Sequence, residues 1–165
     1  MLKNINKRDH AFLMEVNGTE TYEKLKADGN YGWIDPDVKS KNFPIRDVSK
    51  RISLFKLFSI DHDMSSKEIF IMMKKDGYQP TVIEELLSLG IKKPELQKEF
   101  NIFALGSVHN EYVPALCADD CNFENKEIRI LGLGVNDTEW LSHPVHKNRF
   151  LGVRINFRIF KNKKN

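Results

Sequence analysis

The chain of 165 residues is 41% apolar and 30% charged, with a formal net charge of +3, which is ordinary for one soluble globular domain. Its apolar runs are only a few residues long, its amino terminus lacks a signal-peptide pattern, and its two cysteines are too few for a disulfide framework. These features exclude a transmembrane helix and a disulfide-stapled secreted domain. We expect a single domain over residues 1–165, located in the cytoplasm with reduced thiols and without a membrane partner.

Residues 1–50 are polar and rich in turn-forming residues, including Asn17-Gly18 and Asp35-Pro36. We expect an irregular segment with one short helix over residues 21–27, packed on the main body by the aromatic side chains near Tyr31. Residues 51–60 are apolar and suit a β-strand, which then leads into a helix.

The clearest local pattern is a pair of short helices between Met64 and Gly90. Ser65 and Glu68 have the spacing of a capping box, in which the hydroxyl and the carboxylate satisfy backbone N–H groups at the helix start. Apolar residues then recur at spacings of three and four, and Gly77 can adopt the left-handed conformation that ends a helix. The sequence therefore predicts a first helix with a defined start and end.

The second helix repeats this pattern after a short turn. Thr81 and Glu84 have the spacing of another capping box, and Gly90 supplies the predicted end of the helix. Glu84 is thus explained as a capping residue, and we interpret Glu85 as a surface residue. The leucine side chains of this helix are expected to face the core.

After Gly90 the pattern changes from helical to extended. Residues 94–100 form one more helical turn, which begins at Pro94. Four later stretches have the composition of strands, namely residues 101–109, 111–117, 127–135 and 149–160. Because one strand and two or three helices precede a run of strands, the predicted fold class is α+β.

Five short motifs are spread over residues 77–154. They are GYQPTVIEELL from residue 77, PELQ from residue 94, FALGSV from residue 103, YVP from residue 112 and RFLGVR from residue 149. Together they resemble an uncharacterised family of small bacterial proteins. This resemblance implies no particular activity.

A more distant resemblance rests on the helix opening from Gly77 to Glu84 and on the R-F-x-x-V-R character of the last strand. Both are similar to the formylglycine-generating-enzyme branch of the C-type-lectin-like fold. The resemblance implies two or three short helices followed by a curled antiparallel sheet, whose closing strand returns beside the first strand.

The functional residues of that fold do not carry over to this chain. Formylglycine-generating enzymes hold copper with a cysteine pair near the end of the chain, whereas Cys117 and Cys121 lie upstream. Calcium-dependent C-type lectins bind sugars through an E-P-N loop and a W-N-D strand, and here only Asn136-Asp137 matches part of that strand motif. The resemblance therefore implies neither copper-dependent catalysis nor sugar binding.

Two close pairs of residues have the side chains that zinc prefers. Cys117 and Cys121 form one pair, and His143 and His146 form the other. Four nitrogen and sulfur ligands suit the tetrahedral geometry of structural zinc. The gap between the pairs differs from that of the usual zinc finger, and Cys117 also continues an apolar pattern typical of a core residue. Zinc binding and a plain core position are both compatible with this pattern.

The loop after the Cys117 strand offers oxygen ligands of the kind that calcium prefers. Its acidic and amide side chains are Asp119, Asp120, Asn122, Glu124 and Asn125. The loop lacks the regular spacing and the glycine of an EF-hand, so a solvated turn is the simpler interpretation. We expect no cofactor, with zinc or calcium as the alternatives.

No established catalytic motif occurs in the sequence. There is no phosphate-binding loop, dinucleotide fingerprint or H-E-x-x-H helix, and Ser107 lacks the G-x-S-x-G context that activates a serine. Glu84 and Glu85 offer carboxylates for acid–base chemistry, but both already have structural interpretations. We therefore do not expect an enzyme.

The carboxyl end is strongly basic, since the residues from Lys147 onward include seven Lys or Arg and no Asp or Glu. Residues an even number apart share one face of a strand, so Arg154 and Arg158 are predicted to point the same way. With a flexible basic tail over residues 161–165, such a strand could follow a phosphate backbone, although an exposed face with a solvated tail gives the same pattern. The candidate nucleic-acid contacts are Arg149, Arg154, Arg158, Lys161, Lys163 and Lys164.

We expect the chain to act as a non-enzymatic recognition module, because function often resides on loops that a rigid scaffold carries. The loops over residues 118–126 and 136–148 would form the surface for a protein or small-ligand partner. The candidate binding residues are Asp119, Asp120, Asn136, Asp137, Trp140 and His143. A core position is an equally good interpretation of Trp140. A nucleic-acid-associated protein and a zinc protein are the alternative functions.

Overall fold

A computed structural model describes residues 11–119, 128–136, 139–142 and 147–160. The strands are β1 (Phe12–Asn17), β2 (Trp33–Ile34), β3 (Lys50–Phe58), β4 (Tyr78–Pro80), β5 (Asn101–Phe103), β6 (Tyr112–Asp119), β7 (Ile128–Val135) and β8 (Asn148–Phe160). The helices are α1 (Tyr22–Asp28), α2 (Ser66–Lys75), α3 (Ile83–Lys92) and α4 (Pro94–Glu99). None of the helices in these residues combines the length and the apolar character that a membrane crossing requires.

One sheet contains all of these strands. Its main path runs in the order β1, β3, β8, β5, β6, β7, β2, and β4 pairs with the middle of β8. The pairs are antiparallel except β5 with β8 and β2 with β7, which are parallel. The predicted α+β class is confirmed, and the last strand lies beside β3.

The predicted boundaries of α2 are confirmed by its hydrogen bonds. The Ser65 hydroxyl accepts the N–H of Glu68 at 3.3 Å, and the Glu68 carboxylate accepts the N–H of Ser65 at 2.7 Å. The helix ends at Lys75, and Gly77 takes a positive φ of 82°. Local chemistry alone specifies this element, because both ends are closed by residues within it or next to it.

The predicted start of α3 is wrong. Thr81 donates hydrogen bonds from its hydroxyl and its backbone N–H to the carbonyl of Leu151, at 3.0 and 3.1 Å. The helix begins two residues later at Ile83, where the Glu85 carboxylate accepts the N–H of Val82 at 3.0 Å. Thr81 continues the pairing with β8 and is therefore not free to cap the helix.

The predicted end of α3 at Gly90 is also wrong, since the helix continues to Lys92. A side chain at Gly90 would collide with the hydroxyl of Tyr31. The glycine therefore serves close packing inside the helix, although glycine costs about 0.5–1 kcal/mol there relative to alanine. A packing requirement of this kind depends on a residue 59 positions away and leaves no local signal.

From Ile83 to Gly90, α3 is buried on every side. It lies in the larger of two apolar clusters, whose fully buried members include Phe55, Leu86, Leu87, Leu89, Ile102 and Leu151. A helix that is buried all round normally carries apolar residues only. The carboxylates of Glu84 and Glu85 are therefore buried with this helix and need compensating partners.

The second apolar cluster contains three aromatic rings in mutual contact. The ring of Phe103 lies 4.7 Å from that of Trp140 and 5.8 Å from that of Phe150, and the last two rings are 5.1 Å apart. Trp140 and Met64 also exchange two backbone hydrogen bonds, at 2.6 and 3.0 Å. These bonds fix the segment before α2 against residues 139–142.

Residues 11–50 contain more regular structure than the sequence predicts. The short helix is present as α1, and Thr21 caps it by accepting the N–H of Lys24 at 3.2 Å. Where irregular chain is predicted, β1 forms the edge of the sheet and pairs with β3. Met14 and Val16 bury alternate side chains of β1, but two such residues are too few to predict a strand.

An irregularity in β8 separates the two arginines that are predicted to share a face. Val153 pairs with Phe55 and Arg158 pairs with Ser53, so five steps along β8 correspond to two steps along β3. Directly paired residues lie on the same face of a sheet, and Val153 and Arg158 therefore share one face. Arg154 follows Val153 and lies on the opposite face. The predicted alignment of Arg154 with Arg158 is wrong because the extra residues reverse the alternation.

Replacement of Phe150 by alanine should lower the free energy of unfolding by about 3–5 kcal/mol, because a fully buried ring is lost and a cavity remains. Urea denaturation followed by circular dichroism measures this change. The matched control is Val135→Ala at a half-exposed position, for which we expect about 0.5 kcal/mol or less. Equal losses in the two variants would contradict the core position of Phe150.

Candidate functional site

β3 places an arginine on the buried face of the sheet. Ser53 and Phe55 are fully buried while Ile52 and Leu54 are only partly covered, and the period of two puts Arg51 on the buried side. The Arg51 side chain is 1% exposed. Because a guanidinium does not lose its proton in proteins, this buried charge must be met by partners.

Carboxylates and a backbone carbonyl surround the Arg51 guanidinium. Its Nη2 atom donates to Glu85 Oε1 at 3.1 Å and lies 3.9 Å from Glu84 Oε1. Its Nη1 atom lies 3.4 Å from the carbonyl oxygen of Asp47 and 3.5 Å from the Oδ2 atom of the same residue. The guanidinium thus connects β3 to the first turn of α3 and to the loop before β3.

The first turn of α3 orients the two glutamates differently. Glu85 bonds back to the N–H of Val82 through Oε2, so one of its oxygens caps the helix while the other meets Arg51. Glu84 directs Oε1 to the backbone N–H of Asp47 at 3.0 Å. The capping function that the sequence assigns to Glu84 therefore belongs to Glu85, and Glu84 instead holds the loop before β3.

Asp47 connects the buried cluster to the surface. Its carboxylate accepts the N–H of Ser49 at 3.0 Å and a hydrogen bond from Arg158 Nη1 at 2.9 Å. Partial burial acts to raise the pKa of Asp47, but hydrogen bonding by Ser49 and the charges of Arg51 and Arg158 outweigh it and lower this pKa. Asp47 is therefore ionised at neutral pH.

The two buried glutamates share one buried cation. Burial, assisted by the negative charge of Glu84, raises the pKa of Glu85 above its usual value, although the Val82 N–H and Arg51 act in the opposite direction. Glu85 therefore takes up a proton more readily than an exposed glutamate. This behaviour is common at functional sites and also occurs in structural ion clusters.

A cavity of about 460 Å³ adjoins the cluster, and we call it the Arg51 pocket. Its lining residues are Arg46, Asp47, Val48, Arg51, Gln79, Pro80, Val82, Glu84, Glu85 and Arg158. Two polar atoms of this lining, Glu84 Oε2 and Arg51 Nε, are buried without a hydrogen-bond partner among the described residues. A buried polar atom that lacks a partner costs about 1–3 kcal/mol, so each such atom calls for an explanation. The hydroxyls of Tyr22, Tyr31, Ser49 and Ser53 also lack a partner within the described chain, but these residues do not line the pocket.

A second polar cavity, of about 510 Å³, lies beside the loop that follows β2. Asp35, Asp37, His109 and Tyr112 contribute to its lining. None of its described lining residues has a buried polar side-chain atom that lacks a partner. The Arg51 pocket is therefore the stronger candidate site, because it alone of these two cavities contains unsatisfied buried groups.

The structure brings together two of the predicted loop residues. Trp140 is only 7% exposed, and its indole N–H donates to the Ser66 hydroxyl at 2.8 Å. Ser66 in turn donates to Asn136 Oδ1 at 2.6 Å. Contact of Trp140 and Asn136 with a ligand stays a prediction. For Asp119 only the backbone at the end of β6 is described, and Asp120, Asp137 and His143 lie outside the described residues.

Three of the six basic residues predicted to contact nucleic acid lie in the described chain, and they hold different parts of the protein. The Arg149 guanidinium lies 4.3 Å from the centre of the Phe100 ring. Arg154 donates to the carbonyl of Asp76 at 2.8 Å, while Arg158 binds Asp47. The tail residues Lys161, Lys163 and Lys164 lie outside the described residues. A role of these residues in nucleic-acid binding stays a prediction.

One of the four predicted zinc ligands lies within the described residues. Cys117 lies half-buried on β6, while Cys121, His143 and His146 fall outside the described residues. Within residues 11–119, 128–136, 139–142 and 147–160, no group of three or more His, Cys, Asp or Glu side chains is arranged to hold a metal. Zinc binding at these four residues stays a prediction.

Sequence reasoning missed the cluster of Arg51, Glu84 and Glu85 because the two glutamates have satisfactory local explanations and Arg51 stands at the start of a predicted strand. Two signals could have revealed it. Arg51 has the same parity as Phe55 and therefore falls on the apolar face of its strand, and the two glutamates lie in a helix whose other residues are mostly apolar. A charge on each of two buried faces predicts an ion pair between the elements.

No protein-family model, curated protein or solved structure matches the chain. We therefore interpret the Arg51 pocket from its own geometry and charges.

Replacement of Arg51 by methionine should lower the free energy of unfolding by about 3–5 kcal/mol, because Glu84 and Glu85 would stay buried without their cation. Urea denaturation at pH 7 measures the loss. The matched control is Arg46→Met, since Arg46 is exposed and should change stability by about 0.5 kcal/mol or less. An Arg51 variant as stable as the Arg46 variant would contradict the buried cluster.

Glu85 should make a pH-dependent contribution to stability. Because its pKa is raised above the usual 4.5, the folded chain binds this proton more tightly than the unfolded chain. The resulting stabilisation is complete below about pH 4.5 and disappears as the pH rises through the folded pKa.

We accordingly expect the free energy of unfolding of wild type to exceed that of Glu85→Gln by more at pH 4.5 than at pH 7.5. Urea denaturation at the two pH values measures this difference. If this excess is the same at both pH values, or is larger at pH 7.5, Glu85 is not protonated more readily in the folded chain.

Proposed function

We propose that the chain is a non-enzymatic recognition module that binds a small, charged molecule in the Arg51 pocket. The observation that supports this most directly is the Glu84 carboxylate, which lines the pocket with one buried oxygen left without a partner. A ligand that supplies a hydrogen-bond donor would remove this cost. Pockets of a few hundred Å³ with a small number of convergent polar groups are typical of small-molecule sites.

The cost of the buried charges supports a role beyond folding. Replacing buried ion pairs by well-packed apolar residues is often neutral or stabilising, so a buried cluster is weak evidence for a purely structural function. Here α3 already contributes Ile83, Leu86, Leu87 and Leu89 to the apolar cluster. Recognition of a ligand gives these carboxylates a function that packing alone does not.

The pairing of the lining groups favours binding over catalysis. Arg51 bonds to Glu85, and Arg158 bonds to Asp47, so most charged groups of the pocket already hold one another in fixed positions. Such fixed groups recognise complementary charge without a large ordering cost. The described lining residues include no Ser, Cys or His that could act as a nucleophile or a neutral base.

We further propose that the fold is related to the C-type-lectin-like arrangement. Support comes from the element order. The helices α2 and α3 come before β5, β6, β7 and β8 along the chain, and β8 returns beside β3. The resemblance to the family of small bacterial proteins over residues 77–154 is likewise a proposal. Neither resemblance supplies the ligand, and the Arg51 pocket is assigned independently of both.

A ligand screen tests the proposed function. Saturation-transfer NMR would be recorded for mixtures of amino acids, carboxylic acids, polyamines, sugars and nucleotides with wild-type protein and with Gln79→Trp. Gln79 is exposed on β4 and lines the Arg51 pocket, so a tryptophan there should fill part of the cavity. We expect at least one compound class to give a signal that Gln79→Trp abolishes.

The matched control is Val135→Trp, which introduces the same side chain at an exposed position on β7 that does not line the pocket. This control should keep the signal of wild type. If no compound gives a signal that Gln79→Trp removes and Val135→Trp keeps, the proposed function is wrong.

A further inference from the structure

We infer that the ligand of the Arg51 pocket is zwitterionic, with an ammonium group that binds toward Glu84 and a carboxylate that binds Arg46 and Arg158, as in a free amino acid. This inference rests on the proposed function and names the ligand class of the same site. It follows from an uneven distribution of charge between the floor and the mouth of the pocket.

The floor of the pocket carries a negative surplus. It consists of Arg51, Glu84 and Glu85, all at least nine-tenths buried, so that one guanidinium faces two carboxylates. Arg51 directs its Nη2 atom mainly to Glu85, at 3.1 Å, and stays 3.9 Å from the nearer Glu84 oxygen. Glu84 Oε2 is the oxygen that remains without a partner. An ammonium group carries three N–H donors and a positive charge, which match this carboxylate.

The mouth of the pocket carries a positive surplus. Its charged residues are Arg46, Asp47 and Arg158, so this part of the lining has two guanidinium groups and one carboxylate. Arg46 is exposed and the Arg158 side chain is 42% exposed, so both are accessible to a ligand. Guanidinium groups bind carboxylates in a planar, two-bonded geometry, which makes a carboxylate the matching anion.

The two charged regions meet at Asp47. Arg51 Nη1 and Arg158 Nη1 lie 3.5 and 2.9 Å from the same oxygen, Asp47 Oδ2. We expect the ammonium and the carboxylate of an amino acid, which are attached to one carbon atom, to reach one region each. A simple anion would face the Glu84 carboxylate, and a simple cation would face Arg46 and Arg158, so each is disfavoured.

Ligand binding to Glu84 requires a rearrangement, because Glu84 is fully buried in the free protein. The pocket lining also includes Val48, which is 71% exposed, and Arg46, which is likewise exposed. Rotamer changes of such side chains are common when a ligand binds, and we expect one to accompany access to the carboxylate.

The test is isothermal titration calorimetry of wild-type protein with each of the twenty L-amino acids at pH 7.5. Every amino acid that binds is followed by its analogue without the carboxylate and its analogue without the amino group, such as ethylamine and propionate for alanine. We expect at least one amino acid to bind and both analogues to bind at least tenfold more weakly, because each lacks a charge-assisted hydrogen bond. This comparison needs no variant.

A variant then locates the ammonium group. Glu84→Gln keeps an oxygen for the Asp47 N–H but removes the negative charge. It should weaken the amino acid at least tenfold but should not weaken the analogue without the amino group, which no longer faces a like charge. The matched control is Glu95→Gln on the exposed side of α4, which should bind as wild type does.

The outcomes separate this inference from the proposed function. Failure of all twenty amino acids to bind, or an analogue that binds as tightly as its parent, overturns the zwitterion inference. If a sugar, a polyamine or a simple acid binds instead and Gln79→Trp abolishes that binding, the proposed function stands while the inference falls. If no compound of any class binds in a way that depends on Gln79, both are overturned.

Discussion

Arg51 carries a charge that no ordinary pH removes, and it lies where water does not reach. α3, the loop before β3 and β8 each contribute at least one side chain to the cluster that meets this charge. Glu85 and Glu84 meet the charge from α3, Asp47 meets it from the loop, and Arg158 holds Asp47 from β8. Removal of one partner would leave another buried charge unpaired, so these elements are coupled through a single cluster.

A second arginine holds the opposite end of α3. Arg129 on β7 donates to the carbonyl of Gly90 and to the carbonyl of Gly29 after α1, both at 2.6 Å. A cation at the carboxyl ends of helices complements their dipoles and satisfies carbonyls that lack helical partners. Gln97 bonds to Arg129 and to two strand carbonyls and so completes this contact. The central helix is therefore positioned by polar contacts at both ends, and its middle is positioned by apolar packing.

The sequence predicts those parts of the structure that neighbouring residues determine. The Ser65–Glu68 capping box and the α+β order are confirmed, and the strand predicted over residues 51–60 is present as Lys50–Phe58, because each depends on local hydrogen bonds or on periodicity. The start of α3 could not be predicted, since Thr81 is bound by a residue 70 positions away. The same holds for the irregularity in β8. The candidate site was missed because charges that look solvated in a sequence are buried here by elements that are distant along the chain.

A double-mutant cycle between Arg51 and Glu85 tests the central claim most directly. The free energies of unfolding of wild type, Arg51→Met, Glu85→Gln and the double variant give the coupling energy of the pair at pH 7. For a buried, hydrogen-bonded ion pair 3.1 Å apart the account predicts a coupling of about 2 kcal/mol or more. A coupling below about 0.5 kcal/mol, as exposed ion pairs give, would contradict a buried cluster at this position.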